Sequence, residues 1–308
     1  MRLPVLRHLM LLSFAALLGA CHGKDESAQP GGSSPVAAVQ TSVDLFKAGD
    51  FNRLWKHALP PADYANLRID WKRQQDRRPI TPLDRARFDQ ALQQLTGPDA
   101  ENKLYAELQP KLAAMERQYE DQLPVLLTVG GALAKKAVAE NKELTPSQKG
   151  QLTDALDAIT PWAQQAPWFD PARAKRAIGV AVTTARQLNL KSPEQMRAMD
   201  FDAVMSKYSI AYGGLKQLLA IYGLSLDDTL NSVRLSEISN HDGHAVVKID
   251  YILLGKPLST ETNLVNEHGR WYSEDMLQNV RKSHQQLNQT TMAQASAPAA
   301  AASVAGTD

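Results

Sequence analysis

The chain has 308 residues, with 34 Lys and Arg against 33 Asp and Glu, for a formal net charge of +1. That balance excludes the strongly basic footprint of a nucleic-acid binder, and a single cysteine excludes an intrachain disulfide framework or a multi-cysteine zinc site. With 44% hydrophobic and 22% charged residues, the composition is globular rather than disordered, and the length allows one large domain or two.

Residues 1–20 read MRLPVLRHLMLLSFAALLGA. Arg2 and Arg7 form a positive n-region, and Leu9 to Leu18 is an apolar stretch of signal-peptide length, too short for a stable membrane span. The segment ends Leu18-Gly19-Ala20-Cys21. An aliphatic residue, two small residues and a cysteine resemble the lipobox of bacterial lipoproteins. The resemblance implies cleavage after Ala20 and lipidation of Cys21, with the body attached to the membrane through acyl chains. His22, where Asp would be the retention signal, implies delivery to the outer membrane, facing the periplasm. Without residues 1–20 the balance is 32 positive against 33 negative side chains, so attachment to a bilayer would rest on lipid, not charge.

Residues 21–35 carry the cysteine and a Gly, Ser and Pro-rich stretch expected to be a flexible tether. The region 36–230 is expected to be helical. Val36, Val39, Val43 and Phe46 recur at helical spacing before Gly49, a C-terminal cap, and a short helix from Phe51 to Leu59 stops at Pro60-Pro61. Thr81-Pro82, Thr145-Pro146, Asp170-Pro171 and Ser192-Pro193 each pair a capping residue with a proline suited to the first turn. Val125 to Ala134, apolar but about ten residues long, is expected to be a buried core helix. Gly130-Gly131 and Gly213-Gly214 sit inside apolar helical patterns, where close helix packing or a kink explains them. A faint echo relates Phe88–Ala91 to Phe169–Ala172, and Pro110 with Gly130-Gly131 to Pro193 with Gly213-Gly214, which would fit a duplication of about 80 residues.

Between 231 and 288 the period changes to two. Val233 and Leu235 alternate, and Val247, Ile249, Tyr251 and Leu253 share a face opposite Lys248 and Asp250. Asn240–Gly243 and His268-Gly269 are turns, Lys256-Pro257 opens a further strand, and a terminal helix follows Ser273 to about Leu287. The fold class is therefore α+β, mainly helical with a C-terminal antiparallel meander. Residues 289–308, rich in alanine and lacking aromatics, are expected to be a disordered tail.

Leu45–Phe51 (LFKAGDF) at the start and His268–Asp275 (HGRWYSED) at the end resemble the NTF2-like superfamily of cone-shaped α+β folds, over roughly 36–76 and 200–287. The resemblance implies helices packed into a curved sheet, with 77–199 as a large helical insertion. The alternative is a helical domain with a small appended sheet.

The candidate chemistry is sparse. His241-Asp242-Gly243-His244 supplies two imidazoles and a carboxylate, but a metal site needs three or four converging ligands, so hairpin-turn polarity explains it better and no metal or other cofactor is assigned. Asp200 with Asp202, and Asp227-Asp228, are paired carboxylates beside expected helix starts, where capping outweighs acid–base catalysis. No nucleophile elbow or phosphate loop is present, and no catalytic residue is assigned. Tyr208, Tyr212 and Tyr222, at roughly helical spacing, could with Trp55 and Trp271 line the mouth of a cone or belong to an ordinary core. Trp162, Trp168 and Phe169, bounded by Pro161 and Pro167, are candidates for a protein contact or for packing on their own helices. Two functions remain open at this point. One is a non-catalytic, lipid-anchored module binding an envelope or periplasmic protein, one version being an immunity-type protector against a toxin. The other is an NTF2-like protein or enzyme with a small-molecule pocket.

Overall fold

A computed structural model describes residues 29–77, 79–119, 121–142 and 144–296. It is 69% helical with one four-stranded antiparallel sheet near the C-terminus, which places the chain in the mainly helical α+β class. The helices are α1 (Pro35–Ala48), α2 (Phe51–Ala58), α3 (Pro61–Asp76), α4 (Pro82–Thr96), α5 (Ala100–Tyr119), α6 (Leu123–Glu140), α7 (Pro146–Gln165), α8 (Pro171–Leu188), α9 (Pro193–Ala198), α10 (Phe201–Ile221) and α11 (Leu226–Asn231). Strands β1 (Arg234–His241), β2 (His244–Leu253), β3 (Lys256–Glu267) and β4 (Arg270–Ser273) follow, and α12 (Glu274–Ser296) runs past Leu287, where sequence periodicity ended it. The eight residues 289–296, expected in the tail, are therefore helical.

Local chemistry accounts for the helix starts. Thr81 and Thr145 each form a reciprocal capping box, with Asp84 and Gln148 respectively, and Asp170 and Ser192 accept from the backbone N–H three residues on. Proline occupies the first turn in all four, where its missing N–H costs nothing. Gly49 ends α1 at φ 69°, a left-handed geometry that glycine adopts without steric penalty.

The strands pair in chain order. Each hairpin turns through two residues of positive φ, Asp242-Gly243, Leu254-Gly255 and His268-Gly269, the pattern whose twist matches that of the flanking strands. Val247 faces Thr262, and Ile249 faces Thr260, across the β2–β3 pair. These four residues are buried, whereas Lys248 and Asp250 lie on the opposite, more open face, where Lys248 donates to Asp250. One face of the meander is thus covered, as alternation implied.

The cover comes from distant parts of the chain. Val39 and Val43 of α1, Ala158 of α7 and Leu230 of α11 join Val247, Ile249 and Trp271 in the main core. A second core gathers Trp55, Leu59, Phe201, Val204, Leu277 and Val280 from α2, α10 and α12, with α3 packed alongside through Tyr64 and Trp71. Helices and sheet share these cores, so the meander is an integral wall of the fold.

The chain segment before α1 is docked rather than loose. Gly32 and Trp271 exchange both backbone hydrogen bonds at 3.0 Å, the Gly31 N–H donates to the His57 carbonyl at 2.8 Å, and the Arg270 guanidinium donates to the Pro30 and Gly31 carbonyls. The expected tether over 21–35 therefore cannot extend beyond about Gln29. Cys21, with Leu18, Gly19 and Ala20, lies outside the described residues.

Two of the three features behind the proposed duplication differ in geometry. Phe88–Ala91 lies inside α4 whereas Phe169–Ala172 straddles the cap of α8, and Pro110 lies within α5 whereas Pro193 opens α9.

Candidate interaction surface

The aromatic residues singled out by sequence divide into three interior groups. Trp55 meets Phe201 edge-on at 6.3 Å between ring centres, and Tyr208 packs in the same core. Tyr212 lies between Phe46 and Phe51 at 5.1 and 5.4 Å. Burial pushes its hydroxyl pKa strongly upward, with a smaller contribution from Asp227. Trp271 belongs to the main core.

Trp162, Trp168 and Tyr222 form the third group. Trp162 meets Trp168 at 5.4 Å, and Trp168 stacks on Tyr222 at 5.0 Å. The Trp162 indole donates to the Tyr222 carbonyl at 2.8 Å, and the Trp168 indole to the Ala163 carbonyl at 2.6 Å. Phe169 is half-buried beside them. The proline-bounded loop thus spends its aromatics on its own helices, and both indole N–H groups are already engaged.

Where α1 and α2 cover the sheet, Ala38, His57, Leu264 and Trp271 help line a cavity of about 20 Å³. That volume suits about one water molecule, well below what a small-molecule site needs. His57 is 2% exposed, and its Nε2 lies 3.0 Å from the Ala38 carbonyl, so the ring bridges α2 to α1.

The carboxylates of Asp200, Asp202 and Asp227 have structural partners. Asp200 caps α10 by accepting from the Ala203 N–H, Asp202 accepts from the Tyr64 hydroxyl and Arg68, and Asp227 accepts from Lys216. His241 and His244 are exposed at the first hairpin. Among the described residues, no group of three or more His, Cys, Asp or Glu side chains is placed to hold a metal ion, and no helix is long and apolar enough to cross a membrane.

Two features were missed by sequence reasoning. The first is a polar clamp between α3 and α12. Arg281 makes paired contacts to Asp63 and to Glu267, the closest at 2.7 and 2.8 Å respectively. Glu267, then Asp63, favour the charged guanidinium and raise its pKa despite partial burial. One helical turn on, His284 Nδ1 lies 2.7 Å from Asp70, while Asn288 bridges His284 to Arg73. Asp63 and Asp70 are 7% and 4% exposed. Their i, i+7 spacing on one helical face is the only hint the sequence carries.

The second is α6, and it overturns an expectation. Val125 to Ala134 does not form a buried core helix: Val125, Leu126, Val129 and Leu133 are 63, 53, 52 and 63% exposed. The other side of α6 packs on α7 through Gly131 against Thr160, an ion pair from Lys135 to Asp157, and Gln164 reaching Thr128 and the Pro124 carbonyl. The four exposed residues recur at spacings of one, three and four, which places them in a single stripe about two turns long. Scattered exposed apolar residues are ordinary, but a continuous stripe marks a contact surface.

Family models, curated proteins and solved structures return no match to this chain. The reading of function therefore rests on its own residues.

Proposed function

We propose that the protein is a lipid-anchored, periplasm-facing module of the bacterial envelope that binds an envelope or periplasmic protein through its helical section without catalysis. The observation that carries the binding role is the outer stripe of α6, four large apolar side chains presented to solvent on a helix braced from behind by α7. A braced helix loses little freedom on docking, which favours affinity. The membrane address rests on Leu18-Gly19-Ala20-Cys21 and the apolar run before it. An outer-membrane location and an immunity-type protector role belong to this proposal, and the NTF2-like resemblance of the meander and the helices on it stands beside it as a proposal of kinship.

A photo-crosslinking side chain at Val129, activated in intact cells and read by mass spectrometry, tests the binding role. Capture of a defined protein is the expected result, and repeated capture of none overturns it. Replacement Cys21→Ser tests the address: the protein should leave the membrane fraction, and full retention would refute the anchor.

A further inference from the structure

We infer that α6 pairs with α6 of a second copy of this chain, antiparallel about a two-fold axis at Val129. The inference rests on the reading of the α6 stripe as a protein contact and names its occupant. Four observations converge on self-pairing. The stripe keeps apolar against apolar under this operation: an antiparallel axis at Val129 sets Val125 against Leu133 of the other copy and the large Leu126 against the small Ala132. Its charges are complementary under the same operation. Asp121 stands exposed just before the helix and Lys136 is exposed near its end, so each Asp121 comes beside the Lys136 of the other copy, twice per dimer. Lys136 is available for this exchange, because its contact to Glu140 is 3.8 Å long with both side chains 68% exposed. Finally, Gly130 on the flank of the stripe meets nothing within 4 Å at its Cβ position, so no other part of the chain blocks that side of the contact.

A stripe of this length lies at the small end of specific interfaces, so the dimer is expected to be weak and concentration-dependent. A two-fold contact uses the same patch on both copies, and the antiparallel arrangement sets the two helix dipoles head to tail.

Disulfide trapping separates this geometry from a parallel pair. In the purified full chain carrying Cys21→Ser, Val129→Cys should crosslink to itself. Val125→Cys and Leu133→Cys should each crosslink poorly alone and efficiently when the two proteins are mixed. Efficient self-crosslinking of Val125→Cys and of Leu133→Cys, without gain on mixing, would mean a parallel pair and overturn the inference. Sedimentation equilibrium up to about 200 µM, a range that reaches weak contacts, should show a dimer that Lys136→Glu weakens about tenfold through like-charge contact. Adding Asp121→Lys should restore it. A strict monomer overturns self-pairing. If a crosslinker at Val129 then captures a different protein in cells, the contact surface stands and its occupant was wrong; if it captures no protein, both fall.

Discussion

Gly32 and Trp271, 239 residues apart, face each other as an isolated antiparallel bridge that fastens the start of the chain to the last strand. A Cβ on Gly32 would lie 2.2 Å from the Ala38 backbone nitrogen, a backbone clash that no rotamer relieves. Gly32→Ala should therefore lift the strap off β4, expose the Gly31 and Gly32 amides to hydrogen exchange, and cost about 1–3 kcal/mol of stability. Arg270→Ala, which adds no atoms, should loosen the strap less, by about 1 kcal/mol. Exchange measured by mass spectrometry separates the two. The strap also sets reach: between Cys21 and Pro30 the chain can span at most about 30 Å, so a lipid on Cys21 would hold the β4 edge close to its bilayer.

The neighbouring glycines of α10 have opposite surroundings. A Cβ at Gly214 would lie 2.3 Å from Thr184 Oγ1 of α8, while at Gly213 it would meet nothing within 4 Å. Gly213→Ala should stabilise the protein by about 0.5–1 kcal/mol through helix propensity alone. Gly214→Ala should instead destabilise it by about 1–3 kcal/mol through overpacking, and Thr184→Ala in the same chain should recover much of that loss. Urea midpoints of the four proteins give the answer.

Sequence reasoning succeeded where the physics is local. A capping side chain and a proline in the first turn decide the start of α4, α7, α8 and α9 whatever packs on them, and two-residue turns at Asp242-Gly243 and His268-Gly269 fix the strand order. It read Gly131 and Gly214 correctly as packing positions, though not that their neighbours Gly130 and Gly213 face open space. Apart from the end of α12, the misses are non-local. Periodicity says that α6 is apolar but not whether another helix covers it, so the expectation of a core helix fails at Val129 and Leu133. The Asp63–Arg281 pair spans 218 residues, and Gly32–Trp271 more, so nothing in the neighbourhood of either partner announces the other.

The α3–α12 clamp should be a principal fastener of the C-terminal helix. Arg281→Ala would leave Asp63, buried against α12, without its cation. Breaking a charged pair with one side buried costs up to about 3–5 kcal/mol. The Arg281 side chain is 42% exposed, so solvent screening should reduce the loss to about 2–3 kcal/mol. Arg281→Lys should recover only part of it, since a point charge cannot bond both carboxylates through a planar fork. Pairing Arg281→Ala with Asp63→Asn should cost less than the sum of the single changes, which a double-mutant cycle in urea would measure.

Alkaline stability should report on Tyr64. Its hydroxyl pKa is raised to about 12, first by burial and then by donation to Asp202 at 2.9 Å, which holds the proton on. A raised folded-state value means that the folded protein binds this proton more tightly than the unfolded chain does. The contribution is therefore complete below about pH 10, the value for an unfolded tyrosine, and is lost as pH climbs from there towards 12. Burial shifts Tyr208, Tyr222, Tyr251 and Tyr272 in the same direction, so the whole protein should weaken across that window. Tyr64→Phe should flatten its own part of the slope, and Asp202→Asn should bring the Tyr64 transition down towards 10. Tyrosinate absorbance followed alongside circular dichroism would resolve both, and an unshifted transition in Asp202→Asn would show that burial alone holds the proton.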